Sequence, residues 1–170
     1  MIDPRDFSAS ETLRNGTVVA IRALRPDDRE RLRAAYAELS PTTRYLRTFG
    51  YKAGLTESEL TRYVEVDFQG TVALVAVSGD RIIGGGRYVR LGDGSAEIAF
   101  TVEEDFHGQG IASRLLKHLA AIARDQGIQT FVAEVLAENT AMLAVFARSG
   151  LPMERRREGG VVHVELALVR

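Results

Sequence analysis

One stretch, Ser95–Gly127, constrains the fold more than any other part of the sequence, because a strand there runs through a glycine turn into a long helix. Alternating apolar residues predict the strand over 95–102, and apolar residues at helical spacing predict the helix after Gly110. The first N–H groups of a helix have no intrahelical partner, and Gly108 and Gly110 would let a ligand approach closely. We therefore expect a phosphate-bearing ligand at Gln109–Ser113, the alternative being a tight turn that binds nothing.

Composition narrows the class of protein. The 170 residues suffice for one domain with a full core, and a hydrophobic fraction of 45% is that of an ordinary soluble chain. No apolar run approaches the ~18 residues of a membrane span. The absence of cysteine excludes disulfides, thiolate metal sites and a cysteine nucleophile, and it fits a reducing cytoplasm. A formal net charge of −1 argues against a dedicated nucleic-acid-binding protein, and no histidine pair has metal-ligand spacing, so we expect no metal.

Periodicity and turn signals predict a loose N-terminal arm over 1–16 and a single domain over 17–170. The predicted strands cover 17–21, 71–78, 81–89, 95–102, 129–136, 152–157 and 161–168. The predicted helices begin at Pro26, at Pro41, at Thr56 with a capping box, after the glycine loop, and at Asn139. Three consecutive glycines, Gly84 to Gly86, indicate a bulge or a close neighbour within the second hairpin strand.

The predicted fold class is α/β: a mixed, mostly antiparallel sheet of about seven strands, with helices on both faces. A right-handed crossover makes 95–102 and 129–136 a central parallel pair. If these two strands splay apart, their carboxyl ends form a crevice in which a ligand can bind.

Two interpretations of the glycine loop compete. Gly108-x-Gly110-x-Ala112, with Glu134 about 20 residues further on, echoes the dinucleotide-binding fingerprint. A dinucleotide-binding domain needs more parallel strands than follow this loop, and an antiparallel meander precedes it. We therefore favour a different phosphate-bearing ligand.

The order of predicted elements, together with this loop, resembles the GNAT acetyltransferases. That family's loop reads Gln/Arg-x-x-Gly-x-Gly/Ala, and here it is His107-Gly108-Gln109-Gly110-Ile111-Ala112. The two small positions match, whereas His107 departs from the family's first position. Asn139 and the helix after it resemble the family's second element. The segments SPTTRYLRTF, VEVD, SAEIAFTV and AEVLAENTAMLAVF are similar to those of bacterial protein lysine acetyltransferases, and the resemblance extends over nearly the whole chain.

The resemblance implies that the phosphate-bearing ligand is acetyl-CoA. Its pyrophosphate would lie on the N–H groups at the start of the helix, and its pantetheine arm would lie between the splayed strands, paired with Phe100–Val102 and bonded by Asn139. Arg114 or Arg148 would meet the 3′-phosphate, the alternative being solvated arginines on a helix face. The implied cofactor-binding residues are Phe100, Thr101, Val102, His107, Gly108, Gln109, Gly110, Ile111, Ala112, Ser113, Asn139 and Phe146.

The resemblance also implies a catalytic residue. Glu97 aligns with the glutamate that lysine acetyltransferases use as a base in A-E-I-x-F, and alternation along the strand directs it away from Ala96 and Ile98. The alternative for Glu97 is a solvent-facing residue paired with an arginine. A backbone N–H near Val102 would meet the oxyanion. Many relatives carry a tyrosine acid at the position of Phe146, so the thiolate would leave here without that proton donor.

We therefore predict direct acetyl transfer to an amine, with a protein lysine as the acceptor. The alternatives are a small-molecule amine N-acetyltransferase and a non-catalytic acyl-CoA-binding regulatory module. The short helix that carries Arg44, Tyr45, Arg47 and Phe49 would flank the acceptor entrance. His118 and His163 are predicted to be surface residues. Expected partners are acetyl-CoA and the amine acceptor, without nucleic acid or membrane, and a homodimer is left open.

Overall fold

The structure is a computed structural model that describes residues 3–37, 56–102 and 108–168. Its strands are β1 Ser8–Thr12, β2 Val18–Ala23, β3 Thr71–Ser78, β4 Arg81–Arg90, β5 Ser95–Val102, β6 Thr130–Leu136, β7 Met153–Glu158 and β8 Val161–Ala167. Its helices are α1 Arg29–Ala37, α2 Glu57–Val64, α3 Ile111–Asp125 and α4 Thr140–Ala147, with short 3-10 turns at Pro4–Asp6 and Pro26–Asp28. The predicted helix over 41–48 lies outside the described residues. None of the described helices is long and apolar enough to cross a membrane.

All eight strands form one sheet in the order β1-β2-β3-β4-β5-β6-β8-β7. Every neighbouring pair is antiparallel except β5 and β6, which are parallel. The predicted α/β class, the antiparallel meander and the central parallel pair are thus confirmed. The sheet has one strand more than predicted, and that strand comes from the N-terminal arm.

The prediction of a loose arm is wrong for Ser8–Thr12, which pairs antiparallel with β2 as an edge strand. The turn between the two strands contains Asn15-Gly16, and Gly16 has a φ of +87°. An Asn-Gly pair between two alternating segments is a strong hairpin signal, because both residues tolerate positive φ. The polar composition of this segment obscured a real strand, whose inward side chains are only half-buried.

Helices cover both faces of the sheet at β3, where the sequence TVALVAVS is buried almost throughout. Alternate residues Val72, Leu74 and Ala76 join the core beneath α3. The residues between them, Ala73, Val75 and Val77, pack on the opposite face, which we call the outer face and which α1 and α2 partly cover. A nearly continuous apolar strand is typical of a strand with both faces covered.

The glycines of β4 allow α3 to approach the sheet. A Cβ on Gly86 would lie 2.6 Å from the Phe100 ring, and a Cβ on Gly84 would lie 2.9 Å from Ile111. The register between β3 and β4 also shifts beside Ala76 and Val77, so a bulge occurs here as well. Both features that the glycine run predicted are present, and together they seat the start of α3 against the end of β5.

Candidate active site

The glycine loop ends in an array of free backbone N–H groups. Gly108 and Gly110 have φ values of +80° and +86°, and Gly110 is the N-cap of α3. Arg114 is the first residue of the helix whose N–H reaches back to a helix carbonyl, at 3.1 Å from Gly110. The N–H groups of Ile111, Ala112 and Ser113 therefore have no intrahelical partner, as at any helix start. His107 lies outside the described residues.

Any anion at this helix start would be bound mainly by backbone N–H groups. The side chains of Ile111 and Ala112 are buried in the core, and Ser113 is exposed. Successive N–H groups at a positive-φ turn, together with the helix macrodipole, bind anions without a side-chain donor. The burial of Ile111 fixes the direction of the helix and hence the aim of those groups.

The carbonyl groups of the loop are held by two arginines. Arg14 donates from Nη1 to the Gly108 carbonyl at 2.9 Å, and its N–H reaches the Gln109 carbonyl at 3.4 Å. Arg114 donates from Nη1 to the carbonyls of Gln109 and Gly110, at 3.3 and 3.0 Å, and from Nη2 to Thr12 at 2.7 Å. With the carbonyls bound on one side, the N–H groups of the loop are left for a ligand on the other.

The β1–β2 turn is therefore part of the site, and our sequence analysis missed it. The N–H of Asn15 also binds the Gln109 side chain, at 3.0 Å. Glu11 of β1 lies 3.6 Å from Arg114 Nε and 2.8 Å from Lys117 Nζ. The Asn15-Gly16 hairpin signal could have revealed the strand, but its contact with a loop more than 90 residues away has no local signature.

Arg114 was one candidate for the 3′-phosphate of the ligand. In the structure its guanidinium is occupied by the loop carbonyls and by Thr12, so it acts as a brace for the loop. Arg148, the other candidate, is exposed at the C-cap of α4 and stays a prediction.

A cleft opens where β5 and β6 separate. The two strands pair only over Ser95–Glu97 and Thr130–Val132, and beyond those residues they diverge. The cleft has a volume of about 170 Å³. It is lined by Glu97, Ile98, Ala99, Phe100, Ala133, Glu134, Val135, Asn139, Met142 and Phe146. Within the described part of the chain, the pairing of β5 with β6 ends at Glu97, so the β6-facing backbone of Ala99 and Phe100 is placed to pair with a bound chain.

Asn139 and Phe146 close one side of this cleft from α4. Asn139 caps the helix as predicted, its Oδ1 accepting from the Met142 N–H at 3.2 Å, and this leaves its amide NH₂ for another acceptor. Phe146 is only 1% exposed, and its ring centroid lies 6.1 Å from that of Phe100. Of the β5 residues predicted to contact the ligand, Phe100 is buried, whereas Thr101 and Val102 are half-buried at the wide end of the divergence.

Glu97 lies at the narrow end of the cleft on the outer face. Its neighbours across the sheet are Val89 on β4 and Val132 on β6. The burial pattern of β5 places Ala96 and Ile98 in the core and exposes Glu97, as the alternation predicted. The alternative of an arginine-paired carboxylate is not supported among the described residues, where Glu97 has no ion pair.

His118 and His163 are less exposed and make more contacts than predicted for surface residues. His118 is only 16% exposed, with its Nε2 2.5 Å from a Glu11 oxygen and its ring against Phe7. The pKa of Glu11 is lowered, because hydrogen bonds from Lys117 and His118 outweigh the burial that alone would raise it. His163 is half-buried between Glu134 and Glu158. Within the described ranges, no three His, Asp or Glu residues are placed to hold a metal ion.

A mostly antiparallel sheet that splays at its one parallel pair, with a helix starting just after the splayed strand, is the arrangement that the sequence analysis expected of an acyl-CoA-dependent transferase. The sequence profile of the Acetyltransferase (GNAT) family matches residues 30–151. The chain belongs to this family, and it is an N-acetyltransferase.

Three relatives of this family are similar to this chain in sequence or in structure. An acetyltransferase of Pseudomonas aeruginosa is 34% identical over 137 residues, which cover 78% of this chain and 74% of that protein. Acetyltransferase Pat of Mycolicibacterium smegmatis is 35% identical over 158 residues, which cover 91% of this chain but 47% of Pat, so the chain spans about half the length of that relative. The crystal structure of the GNAT domain of S. lividans PAT superposes with a TM-score of 0.88 at 37% identity, covering 94% of this chain and 96% of that domain.

Proposed function

We propose that this protein transfers the acetyl group of acetyl-CoA directly to the side-chain amine of a protein lysine. The observation that carries the proposal is the cleft between β5 and β6, which Glu97 lines. The glycine loop and the start of α3, whose first N–H groups have no intrahelical partner, follow β5 in the chain. The family uses acetyl-CoA as the acyl donor. A cysteine-free chain suits the cytoplasm, where this donor and protein lysines meet.

The donor would bind along β5. Its pyrophosphate would accept hydrogen bonds from the N–H groups of the loop and of Ile111–Ser113, and its pantetheine amides would pair with the β6-facing backbone near Phe100–Val102. The amide of Asn139 would bind the arm from the opposite wall. This arrangement places the thioester near the narrow end of the cleft, within reach of the outer face on which Glu97 lies.

In the transfer step, the neutral lysine nitrogen attacks the thioester carbon. The new C–N bond forms as the C–S bond breaks, the proton of the amine passes to the Glu97 carboxylate directly or through a water, and coenzyme A leaves as the thiolate. A backbone N–H of β5 beside the thioester meets the oxyanion. Phe146 carries no hydroxyl, so no tyrosine acid acts at that position, and a thiol with a pKa of about 8.5 leaves tolerably as the thiolate.

The surface beside Glu97 favours a cationic, extended acceptor. Most outward residues of β6, β8 and β7 are exposed or half-buried, and they include the carboxylates of Glu134, Glu154, Glu158 and Glu165. Arg156 and His163 lie on the same face, where His163 pairs with Glu134 and both pair with Glu158. Glu154 and Glu165 lie directly opposite one another on β7 and β8. Neither has an ion pair among the described residues, so their charges remain to attract a positively charged segment. An open acidic face of this kind suits a lysine on a protein better than an enclosed site for a small amine.

The proposal is tested by incubating the protein with isotopically labelled acetyl-CoA and cell lysate, followed by mass spectrometry. We expect label on a small set of protein lysines, and its loss with Glu97→Gln. Label confined to small amines would overturn the lysine acceptor. Binding of acetyl-CoA with no acceptor-dependent release of thiol would instead support a non-catalytic acyl-CoA-binding module.

A further inference from the structure

A second cavity lies on the outer face, between the sheet and helices α1 and α2. Its volume is about 110 Å³, and its walls in the described part of the chain are mainly apolar. Leu32 and Ala35 of α1 and Tyr63 of α2 form one side, and Gly85, Ala99 and Thr101 of the sheet form the other. We call it the outer pocket. Of the proposed donor contacts, only Thr101 lines it, and the acidic face does not use it.

The outer pocket adjoins the cleft. Ala99 lines both cavities, and Glu97, Ala99 and Thr101 share one face because alternate residues of a strand point the same way. A thioester held at the narrow end of the cleft, close to Glu97 and Ala99, would therefore lie beside the mouth of the outer pocket. The acyl chain attached to the thioester carbonyl could therefore reach the apolar outer pocket, on the same face of the sheet as the proposed acceptor site.

Gly85 at the floor of the outer pocket has no packing explanation. A Cβ there would make only ordinary contacts, 3.4 Å from the Leu74 carbonyl and 3.7 Å from Val75, and its φ is not positive. Gly84 and Gly86, by contrast, are required by close neighbours under α3. A glycine within a strand weakens the strand and often marks a position where a ligand approaches the backbone. The open floor at Gly85 thus points to an occupant of the outer pocket.

We propose that the outer pocket binds the acyl chain of the donor, so that the protein accepts propionyl and butyryl groups in addition to acetyl. The inference rests on the proposed function, since it needs the donor to lie along β5. An apolar cavity of about 150 Å³ holds a benzene ring, so the outer pocket has room for about four carbons. The transfer step is unchanged, because only the substituent on the thioester carbon is longer. Each methylene buried there would tighten binding roughly fourfold.

The test is calorimetric titration of the full chain with coenzyme A and with its acetyl, propionyl, butyryl and hexanoyl thioesters. We expect affinity to rise from acetyl to butyryl and to stop rising at hexanoyl. Gly85→Ala places a methyl group on the floor, and we expect it to lower the butyryl-to-acetyl affinity ratio at least fivefold. Ala35→Leu fills the pocket from the helix side and should lower the same ratio. Gly160→Ala, at an exposed turn with open space around it, is the matched control.

The possible outcomes distinguish a failure of the proposed acyl-chain pocket from a failure of the proposed donor site. If all thioesters and free coenzyme A bind equally well, or if both pocket variants leave the ratio unchanged, the acyl-chain pocket is wrong while the donor site stands. If no thioester and no coenzyme A binds, both are wrong. If the variants instead raise the KM for the acceptor while the butyryl-to-acetyl affinity ratio is unchanged, the outer pocket binds the acceptor and not the acyl chain. A thermal melt shows that each variant is folded, and Ala35→Leu decides the question should Gly85→Ala fail to fold.

Discussion

At the scale of single residues, Glu97 is the group on which turnover should depend most. It is exposed at the narrow end of the cleft, between Val89 and Val132, and no described cation neutralises it. Glu97→Gln keeps the shape but cannot take a proton from the amine. We expect kcat to fall at least tenfold with acetyl-CoA affinity retained, since general bases contribute about 10²–10⁴-fold.

The measurement is acceptor-dependent thiol release, with calorimetry for the donor. Glu65→Gln, at an exposed carboxylate just after α2, is the control and should behave as the wild type. An unchanged kcat in Glu97→Gln would remove this residue from the role of base.

Phe146 shows at the same scale how one residue restricts a mechanism. The side chain is buried against Phe100 and forms a wall of the cleft, so it contributes packing and shape. The sequence already shows that Phe146 lacks the hydroxyl of the tyrosine found in many relatives. The structure shows in addition that its ring is part of the core. In the proposed mechanism, the thiolate therefore leaves without a proton from this position, and the acidity of the thiol takes the place of the tyrosine acid.

At the scale of elements, the β1–β2 hairpin controls the shape of the glycine loop. Arg14→Ala removes the hydrogen bond to the Gly108 carbonyl, so the loop should sample orientations in which its N–H groups miss the pyrophosphate. A hydrogen bond to a charged group contributes about 1.5–3 kcal/mol, so we expect the KM for acetyl-CoA to rise about tenfold or more with kcat nearly unchanged.

Steady-state kinetics with varied acetyl-CoA test the role of Arg14. Arg14→Lys should recover part of the affinity, and Arg155→Ala, at an exposed strand position, should have no effect. A fall in kcat at constant KM would show that Arg14 acts on the reacting groups rather than on the loop.

The junction of β2 and α1 depends on a buried carboxylate, Asp28, whose side chain is fully buried. Burial alone would raise its pKa, but hydrogen bonds from the Arg22 guanidinium and the Arg25 N–H hold that pKa below its usual range. Asp28→Asn leaves Arg22 without its counter-charge, so we expect the free energy of unfolding at pH 7 to fall by about 3 kcal/mol or more.

Asp28→Asn should also change how the free energy of unfolding depends on pH. Because the folded-state pKa is lowered, the stabilisation by Asp28 is fully present above the unfolded pKa of about 3.9 and is lost as the pH falls through the folded value. The difference in unfolding free energy between wild type and Asp28→Asn should thus be constant above about pH 5 and shrink below pH 4. Denaturant titrations across pH measure it, with exposed Asp27→Asn as the control. A difference independent of pH down to acid unfolding would contradict the role of the charge.

At the scale of the whole molecule, the features that could be predicted from the sequence are the strands and helices with a clear local pattern of residues. A nearly continuous apolar run located β3, period-2 alternation located β5, and the glycine loop and Asn139 located the starts of α3 and α4. The right-handed crossover predicted the parallel pairing of β5 with β6, whereas the splay between these strands was only a condition of the predicted crevice. The brace of Arg14 on Gly108 and the outer pocket could not be predicted, because both depend on contacts between segments distant in the chain. β1 was missed for a different reason, since a polar edge strand has only a weak apolar pattern.

The charge distribution over the molecule yields a final prediction. Glu154 and Glu165 face one another on β7 and β8, where like charges destabilise a sheet. The double substitution Glu154→Gln with Glu165→Gln should therefore leave the melting temperature unchanged or higher. It should also raise the KM for a synthetic lysine peptide about three- to tenfold at low salt, since an acidic surface concentrates a cationic acceptor.

That effect should shrink as salt rises, because the Debye length falls to about 8 Å at physiological ionic strength. The KM for acetyl-CoA should not change, because its proposed contacts are the backbone of β5 and the start of α3 and include neither of these carboxylates. Peptide kinetics at two salt concentrations with a thermal melt measure all three quantities. A higher melting temperature with an unchanged peptide KM would mean that the acidic face has no part in acceptor binding. A lower melting temperature would mean that the two carboxylates stabilise the hairpin, and the repulsion argued here would be wrong.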